Sequence, residues 1–175
     1  MTKVSTKRHV VVEPYTKNWA DAFCTIKAEL EEALGELAIS IEHVGSTSVA
    51  GLYAKPIIDI DIVIKDRLSL DPVISALAAI GYTHVGDLGI TDREAFGYSG
   101  KTHLMAHHLY VCPQDSKELF RHLSFRDYLR SHPEAVVNYS KVKCEAATLY
   151  PYDIDGYMKY KAPCIEELYK LCGLI

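Results

Sequence analysis

Between residues 19 and 34 the apolar side chains Trp19, Ala22, Phe23, Ile26, Leu30, Ala33 and Leu34 recur at intervals of three and four, which gathers them on one face of a helix. Asn18 stands where an N-cap would, and Gly35 where a helix stops. Ahead of it, the valines of 10–12 read as a short strand ended by Pro14. Residues 38–44 predict a second strand. Residues 57–64, IIDIDIVI, predict the clearest strand in the chain. Ser69 can cap a helix that runs through Leu77 and stops at Gly81, and the glycines and β-type residues of 82–112 suggest a hairpin or meander whose last strand lies near 104–111. The remainder of the chain reads as helical: one helix over 116–130, and a second opening on Ser131-His132-Pro133-Glu134 and running to about 149. A third over 154–171 comes after the break at Pro151, with an interruption expected before Pro163. Strands mixed with helices early and a helical last third predict an α+β fold, a mixed β-sheet flanked by helices.

Length and composition narrow the class. A chain of 175 residues fits a single domain over 1–175 and can bury a core without disulfides or metal. A net charge of -4 gives no overall basic footprint, so nucleic acid is not expected as an obligate partner, although a local basic patch stays open. Cys24, Cys112, Cys144, Cys164 and Cys172 are odd in number and form no C-x-x-C pair. They read as reduced, mostly buried thiols rather than a disulfide framework or zinc site. The opening apolar run is too short for a signal peptide, and no stretch approaches the roughly 20 apolar residues of a membrane span. No membrane partner and a cytoplasmic location are the expectations.

The chemistry concentrates in residues 42–64, EHVGSTSVAGLYAKPIIDIDIVI. Gly45-Ser46 forms a small-residue turn between a strand and an expected short helix or turn. Glycine allows close approach of backbone to a ligand, free N–H groups at a helix start favour phosphate oxygens, and the hydroxyls add donors. Asp59 and Asp61 stand two apart on the strand, so both carboxylates share one face while Ile58, Ile60, Ile62 and Ile64 point to the other. Two close carboxylates repel unless a cation lies between them. Mg²⁺ commonly uses one or two carboxylates together with substrate phosphates, so the pair suggests metal-assisted phosphoryl chemistry. Each feature alone is usually a turn or a solvated sheet face; with only twelve residues between Ser46 and Asp59 the combination is more specific.

A G-S turn followed by D-x-D on the next strand resembles the polymerase-β-like nucleotidyltransferase superfamily. The longer string HVGSTSVAGLYAKPIIDIDI is similar to the central motif of the GrpB (UPF0157) family. VVEPYTKNWADAF, HHLYVC, ELFRHLSFRDYLRSHPEAVVNYSKVK and YKAPCIEELY are similar to its other blocks, so the likeness covers nearly the whole chain. The resemblance implies a nucleotidyltransferase-like fold in which Gly45 and Ser46 hold the phosphates of an NTP, and Asp59 and Asp61 bind Mg²⁺ or Mn²⁺. It also implies a third carboxylate on a later strand, and here the sequence departs: HLMAHHLYVC has no Asp or Glu. His108 and Tyr110 share one face of that strand by alternation, Tyr110 where the family often carries His, and His108 could serve as the replacement metal ligand or base.

Other residues admit two readings each. His43 could contact phosphate or orient an aspartate, or be a structural hydrogen-bonder. Lys55 could reach a phosphate or be solvated. His103 and His107 would be one turn apart if their segment were helical and could then bind zinc, but the neighbouring residues favour a strand. Arg121, Arg126, Arg130, Lys141, Lys143, Lys159 and Lys161 are mostly interleaved with acids. Arg126 and Lys161, within family-like blocks, are the triphosphate candidates against surface salt bridges. The late tyrosines read as helix-packing residues before a base-stacking platform. Three functions remain open: transfer of a nucleoside monophosphate from an NTP to an unknown acceptor, a non-catalytic nucleotide-binding or protein-assisting module, and a histidine-based metallohydrolase.

Overall fold

A computed structural model describes residues 9–175. Five strands form one mixed sheet: β1 (Ser40–Val44), β2 (Ile58–Ile64), β3 (Tyr82–Gly86), β4 (Glu94–Tyr98) and β5 (His107–Pro113). Their order across the sheet is β1-β2-β5-β4-β3. β2 runs parallel to β5, and the other three pairings are antiparallel. Five helices pack around it: α1 (Asn18–Leu34), α2 (Leu70–Ala79), α3 (Lys117–Ser131), α4 (Pro133–Leu149) and α5 (Ile154–Leu171).

The apolar side of β2 makes the main core. Ile58, Ile60, Ile62 and Ile64 are almost fully buried against Trp19, Ile26, Leu30 and Leu34 of α1 and Val73 and Leu77 of α2. Removing this much branched aliphatic surface from water is the main favourable term for that half of the fold. The opposite side carries polar residues and is met by α3, where Leu119 packs on Val63 and Cys112. A second cluster joins Val49 and Leu52, just after the Gly45-Ser46 turn, to Leu129 of α3, Ala135, Val136 and Tyr139 of α4, and Leu168 of α5. The turn is therefore gripped between the sheet and the helical layer.

Several boundaries differ from the sequence reading for identifiable reasons. Residues 10–12 form no strand. Val10 N–H bonds to the Pro151 carbonyl, and beyond it there is only an isolated bridge, Glu13 with Ala54. Asn18 is the first residue of α1 rather than its cap, its N–H bonding to Thr16 Oγ1. Asp66, not Ser69, supplies the capping oxygen ahead of α2. Ser116 caps α3 through Leu119 N–H as its position suggests, but Ser131 ends α3 instead of capping α4, its hydroxyl bonding back to Asp127 and Tyr128 carbonyls. α5 runs unbroken through Pro163; the helix keeps its register because Tyr157, Lys161 and Leu168 are buried on both sides of it. The five thiols are unpaired. Cys112 is buried, but Cys24 is exposed. No helix among the described residues is long and apolar enough to cross a membrane.

Candidate active site

The polar face of the sheet holds three carboxylates, each with one cationic or imidazole partner. Glu42 and Asp61 are cross-strand neighbours in register, as are Asp59 and His108. Glu42 accepts from Arg126 Nη1 at 2.8 Å, Asp61 Oδ2 pairs with His122 Nδ1 at 2.6 Å, and Asp59 Oδ1 pairs with His108 Nδ1 at 2.8 Å. Asp59 and Asp61 thus share a face, but their environments diverge. Asp59 retains about a third of its side-chain exposure, whereas Asp61 retains none. Asp61 lies beneath His122, whose Nε2 also approaches Glu118 Oε1 at 3.3 Å. Burial pushes the Asp61 carboxyl up. Burial opposes the charge on His122, yet the hydrogen bond to Asp61 together with the charges of Asp61, Glu118 and Asp59 outweighs it and raises the imidazole. Both shifts act in one direction, so the pair holds its proton to higher pH than either group would alone.

Gly45 brings the turn against Asp59. Its φ of 69° and ψ of -172° lie in a region that is essentially glycine-only, and a Cβ there would sit 2.2 Å from Asp59 Oδ2. The next three residues form a single 3₁₀ turn, Ser46–Ser48, rather than a longer helix. The Ser48 and Val49 N–H groups already bond to the carbonyls of Gly45 and Ser46, which leaves fewer free donors than a helix start would offer. Each side chain of the turn is held by a hydrogen bond. Ser46 Oγ accepts from Lys143 Nζ at 2.5 Å, Thr47 Oγ1 pairs with His43 Nε2 at 2.9 Å, and Ser48 Oγ donates to Gly45 O at 2.6 Å. Arg130 of α3 grips the Ser48 carbonyl through two nitrogens, at 3.0 and 2.8 Å.

Two connected lobes open from this point, and Ser46, Asp59 and Met158 line both. The first, about 180 Å³, is cationic, with Lys55, Lys143 and Lys161 on its walls beside His108. Lys143 and Lys161 are themselves buried. Lys143 also donates to the Tyr53 carbonyl at 2.9 Å. Burial, with Lys161 as an added repulsive charge, holds the Lys143 ammonium well below the usual lysine range. Burial and then Lys55 bring Lys161 down to about 8. Neither lysine is ion-paired to a carboxylate among the described residues, and a phosphate bound beside them would favour their charged forms. The second lobe, about 340 Å³, is lined by Arg93, Arg121, His122 and the rings of Tyr110, Phe125, Tyr139 and Tyr169.

Of the residues singled out from the sequence, Gly45, Ser46, Asp59, His108, Lys55 and Lys161 meet at these lobes. Asp61 lines neither, because His122 covers it. His43 faces away, in register with Ile60 on the apolar side, its ring stacked on Phe23 at 4.6 Å. Arg126 is spent on Glu42, Asp127 and the His43 carbonyl and lines neither lobe. The zinc reading fails on placement: His103 bonds to Glu29, while His107 starts β5 and bonds to Tyr82 and the Met105 carbonyl. Sequence reasoning missed His122 and Arg93 and did not separate Lys143 from its neighbours. The signal for Lys143 was present: it falls on the α4 stripe with Val136, Tyr139 and Ala146, where a lysine breaks an otherwise buried face.

The backbone overlays on Cid1 in complex with its short product ApU, with a TM-score of 0.50 and 9% identity over 73% of this chain and 39% of that one. This likeness defines the fold as nucleotidyltransferase-like. Residues 9–171 match the family described as GrpB protein, and the chain belongs to the GrpB family. The crystal structure of conserved protein GrpB from Enterococcus faecalis overlays with a TM-score of 0.81 and 31% identity, covering 93% of this chain and 96% of that one. UPF0157 protein YqkA of Bacillus subtilis is 36% identical over 155 residues; the match takes in 89% of this chain but 45% of YqkA.

Proposed function

We propose that this chain is a metal-dependent nucleotidyltransferase that moves a nucleoside monophosphate from an NTP to an acceptor. The observation that carries the reading is the contact between Asp59 and the Gly45-Ser46 turn at the edge of a lobe walled by Lys55, Lys143 and Lys161. Three lysines beside one partly exposed carboxylate suit a triphosphate whose charge is shared with a cation.

The donor set fits a hard metal ion. Asp59 opens on the lobes, and Asp61 keeps a buried oxygen, Oδ1, with no hydrogen-bond partner among the described residues. No cluster of three or more His, Cys, Asp or Glu side chains among those residues is arranged to hold an ion, so Mg²⁺ or Mn²⁺ on Asp59 and Asp61 would draw its other ligands from phosphate and water. Bound there it would supply charge neutralisation to the transferring group. His108 is a poor ligand for Mg²⁺ and an acceptable one for Mn²⁺.

The chain's own groups would do the rest. Lys55, Lys143 and Lys161 hold the phosphates, and Ser46, fixed by Lys143, marks the end of that cradle. The acceptor oxygen bonds to the α-phosphorus as the bond to pyrophosphate breaks, and pyrophosphate leaves with the electron pair. The acceptor proton goes to the His108–Asp59 pair: with the Nδ1 proton directed at Asp59, Nε2 is the accepting atom. A nucleotide-binding module without turnover is favoured by one observation, the burial of Asp61 beneath His122 beside a β5 that carries no acid.

The test is pyrophosphate release from each NTP with Mg²⁺ or Mn²⁺ and a pool of small acceptors, run beside a melting scan. Transfer that is lost in Asp59→Asn, with NTP-induced stabilisation lost in Lys161→Gln, is the expected result. NTP binding that depends on Lys161 with no transfer to any acceptor selects the binding module. Absence of any NTP effect rejects both.

A further inference from the structure

The second lobe is not needed to hold a triphosphate, and its chemistry differs from the first. It shares the Ser46, Asp59 and Met158 wall with the lysine lobe, so a molecule within it reaches the same carboxylate. Four aromatic rings and two guanidinium groups line it. Arg93 lies over the Tyr110 ring at 4.4 Å, and Arg121 over the Tyr169 ring at 5.8 Å. Phe125 meets Tyr169 edge-on at 5.2 Å, which fixes both rings.

We propose that this lobe binds the acceptor, and that the acceptor is a small molecule joining a phosphate monoester to a planar ring, of the chemical class of a nucleoside monophosphate.

The phosphate half of the inference comes from Arg93. Among the described residues its Nε is buried without a hydrogen-bond partner, and it forms no ion pair. The other charged groups of the lobe are engaged: Arg121 with Glu118 at 2.7 Å, His122 with Asp61 and Glu118, Asp59 with His108. Arg93 lines the lobe with its guanidinium over Tyr110 and no carboxylate paired to it among the described residues, which calls for an acceptor that arrives with the ligand. The guanidinium fork matches the oxygens of a phosphate. The planar half comes from Tyr110, Phe125 and Tyr169, whose faces and edges suit stacking. Size selects a small molecule over a polymer: about 340 Å³ lies at the low end of ligand pockets, and the net charge of -4 provides no broad basic surface for a nucleic-acid chain. The role of acceptor rests on the proposed transfer reaction; the binding does not.

Calorimetric titrations separate the two. The probes are the four ribonucleoside 5′-monophosphates, ribose 5-phosphate, adenosine and a pentaribonucleotide, each added to full-length protein with and without saturating Mg²⁺ and α,β-methylene-ATP. At least one monophosphate should bind while the triphosphate analogue is bound, more tightly than ribose 5-phosphate or adenosine by about tenfold or more. Arg93→Gln should weaken it by about tenfold or more, with Arg93→Lys intermediate because charge without the fork is kept. Arg121→Gln, at a half-exposed side chain, should weaken it by a smaller factor. Lys161→Gln should weaken the analogue and leave the monophosphate within about twofold. Competition between analogue and monophosphate, unchanged affinity in both arginine variants, no monophosphate binding, or a pentaribonucleotide binding about tenfold tighter than any monophosphate would each overturn the proposal. Arg93-dependent monophosphate binding with no analogue binding would keep this lobe and reject the triphosphate site.

Discussion

His43 sits one residue before the strand ends at the Gly45-Ser46 turn, and from the sequence alone a phosphate contact and a structural hydrogen bond weigh equally. Register decides between them. Alternation along β1 puts its ring on the apolar side with Ile60, where Phe23 stacks on it and Thr47 pairs with it. Burial, then the nearby Arg130 charge, brings the imidazole down to about 4. The unfolded chain takes a proton on this ring near 6.5. Between that value and the folded one, the unfolded state binds more protons, so stability falls as pH is lowered through this window and the loss is complete below it. His43→Gln keeps a donor for Thr47 and removes the titration. Urea denaturation of both proteins from about pH 7 to about pH 4 should show the wild type losing on the order of 2–3 kcal/mol relative to the variant. A constant difference across that range would mean that the ring is charged as easily folded as unfolded.

α3 explains much of what could and could not be read in advance. The α1 stripe and the isoleucines of β2 carry strong periodicity, and both elements fall within two residues of their predicted positions. α3 has little apolar periodicity to read, because the face it turns to the sheet mixes Leu119 and Leu123 with His122 and Arg126. The leucines meet Val63 and Cys112, His122 meets Asp61, and Arg126 meets Glu42. Such a helix looks solvent-facing in sequence, since its inward His122 and Arg126 are polar and are satisfied by acids on strands some 60 to 80 positions away. The same long-range pairing explains why the D-x-D pair was legible as one face but not as two environments. The two aspartates should therefore respond differently to removal of charge. Asp59→Asn, at a partly exposed site, should shift stability by less than about 1 kcal/mol. Asp61→Asn strands a buried imidazolium between α3 and β2 and should cost about 3–5 kcal/mol. Equal effects, measured by denaturant unfolding without metal or nucleotide, would show that the Asp61–His122 pair does not hold α3 to the sheet.

At the scale of the whole molecule, the lobes lie on the seam between two cores: the isoleucine-rich sheet packed on α1 and α2, and the cluster that ties Val49 and Leu52 to α3, α4 and α5. Lys143 crosses that seam. Its stem belongs to the buried stripe of α4, while its amine reaches Ser46 Oγ and the Tyr53 carbonyl. Burial disfavours the charged amine, so the folded state binds this proton less readily than the unfolded chain does. That cost is present below the folded pKa and is relieved as pH rises toward the usual lysine value. A site built this way trades ligand-free stability for anion affinity. Lys143→Met should remove the cost, raising stability by about 1–3 kcal/mol and the melting temperature by roughly 2–4 °C per kcal/mol for a chain of this size. The same variant should lose its response to nucleotide. With Mg²⁺-ATP at about 100 times its dissociation constant the wild type gains about 2.7 kcal/mol, and Lys143→Met should gain little. A variant that melts lower than wild type would identify the amine as a structural donor to Ser46 and Tyr53. One that melts higher yet keeps the full nucleotide shift would take Lys143 out of the phosphate cradle and leave Lys55 and Lys161 to form it.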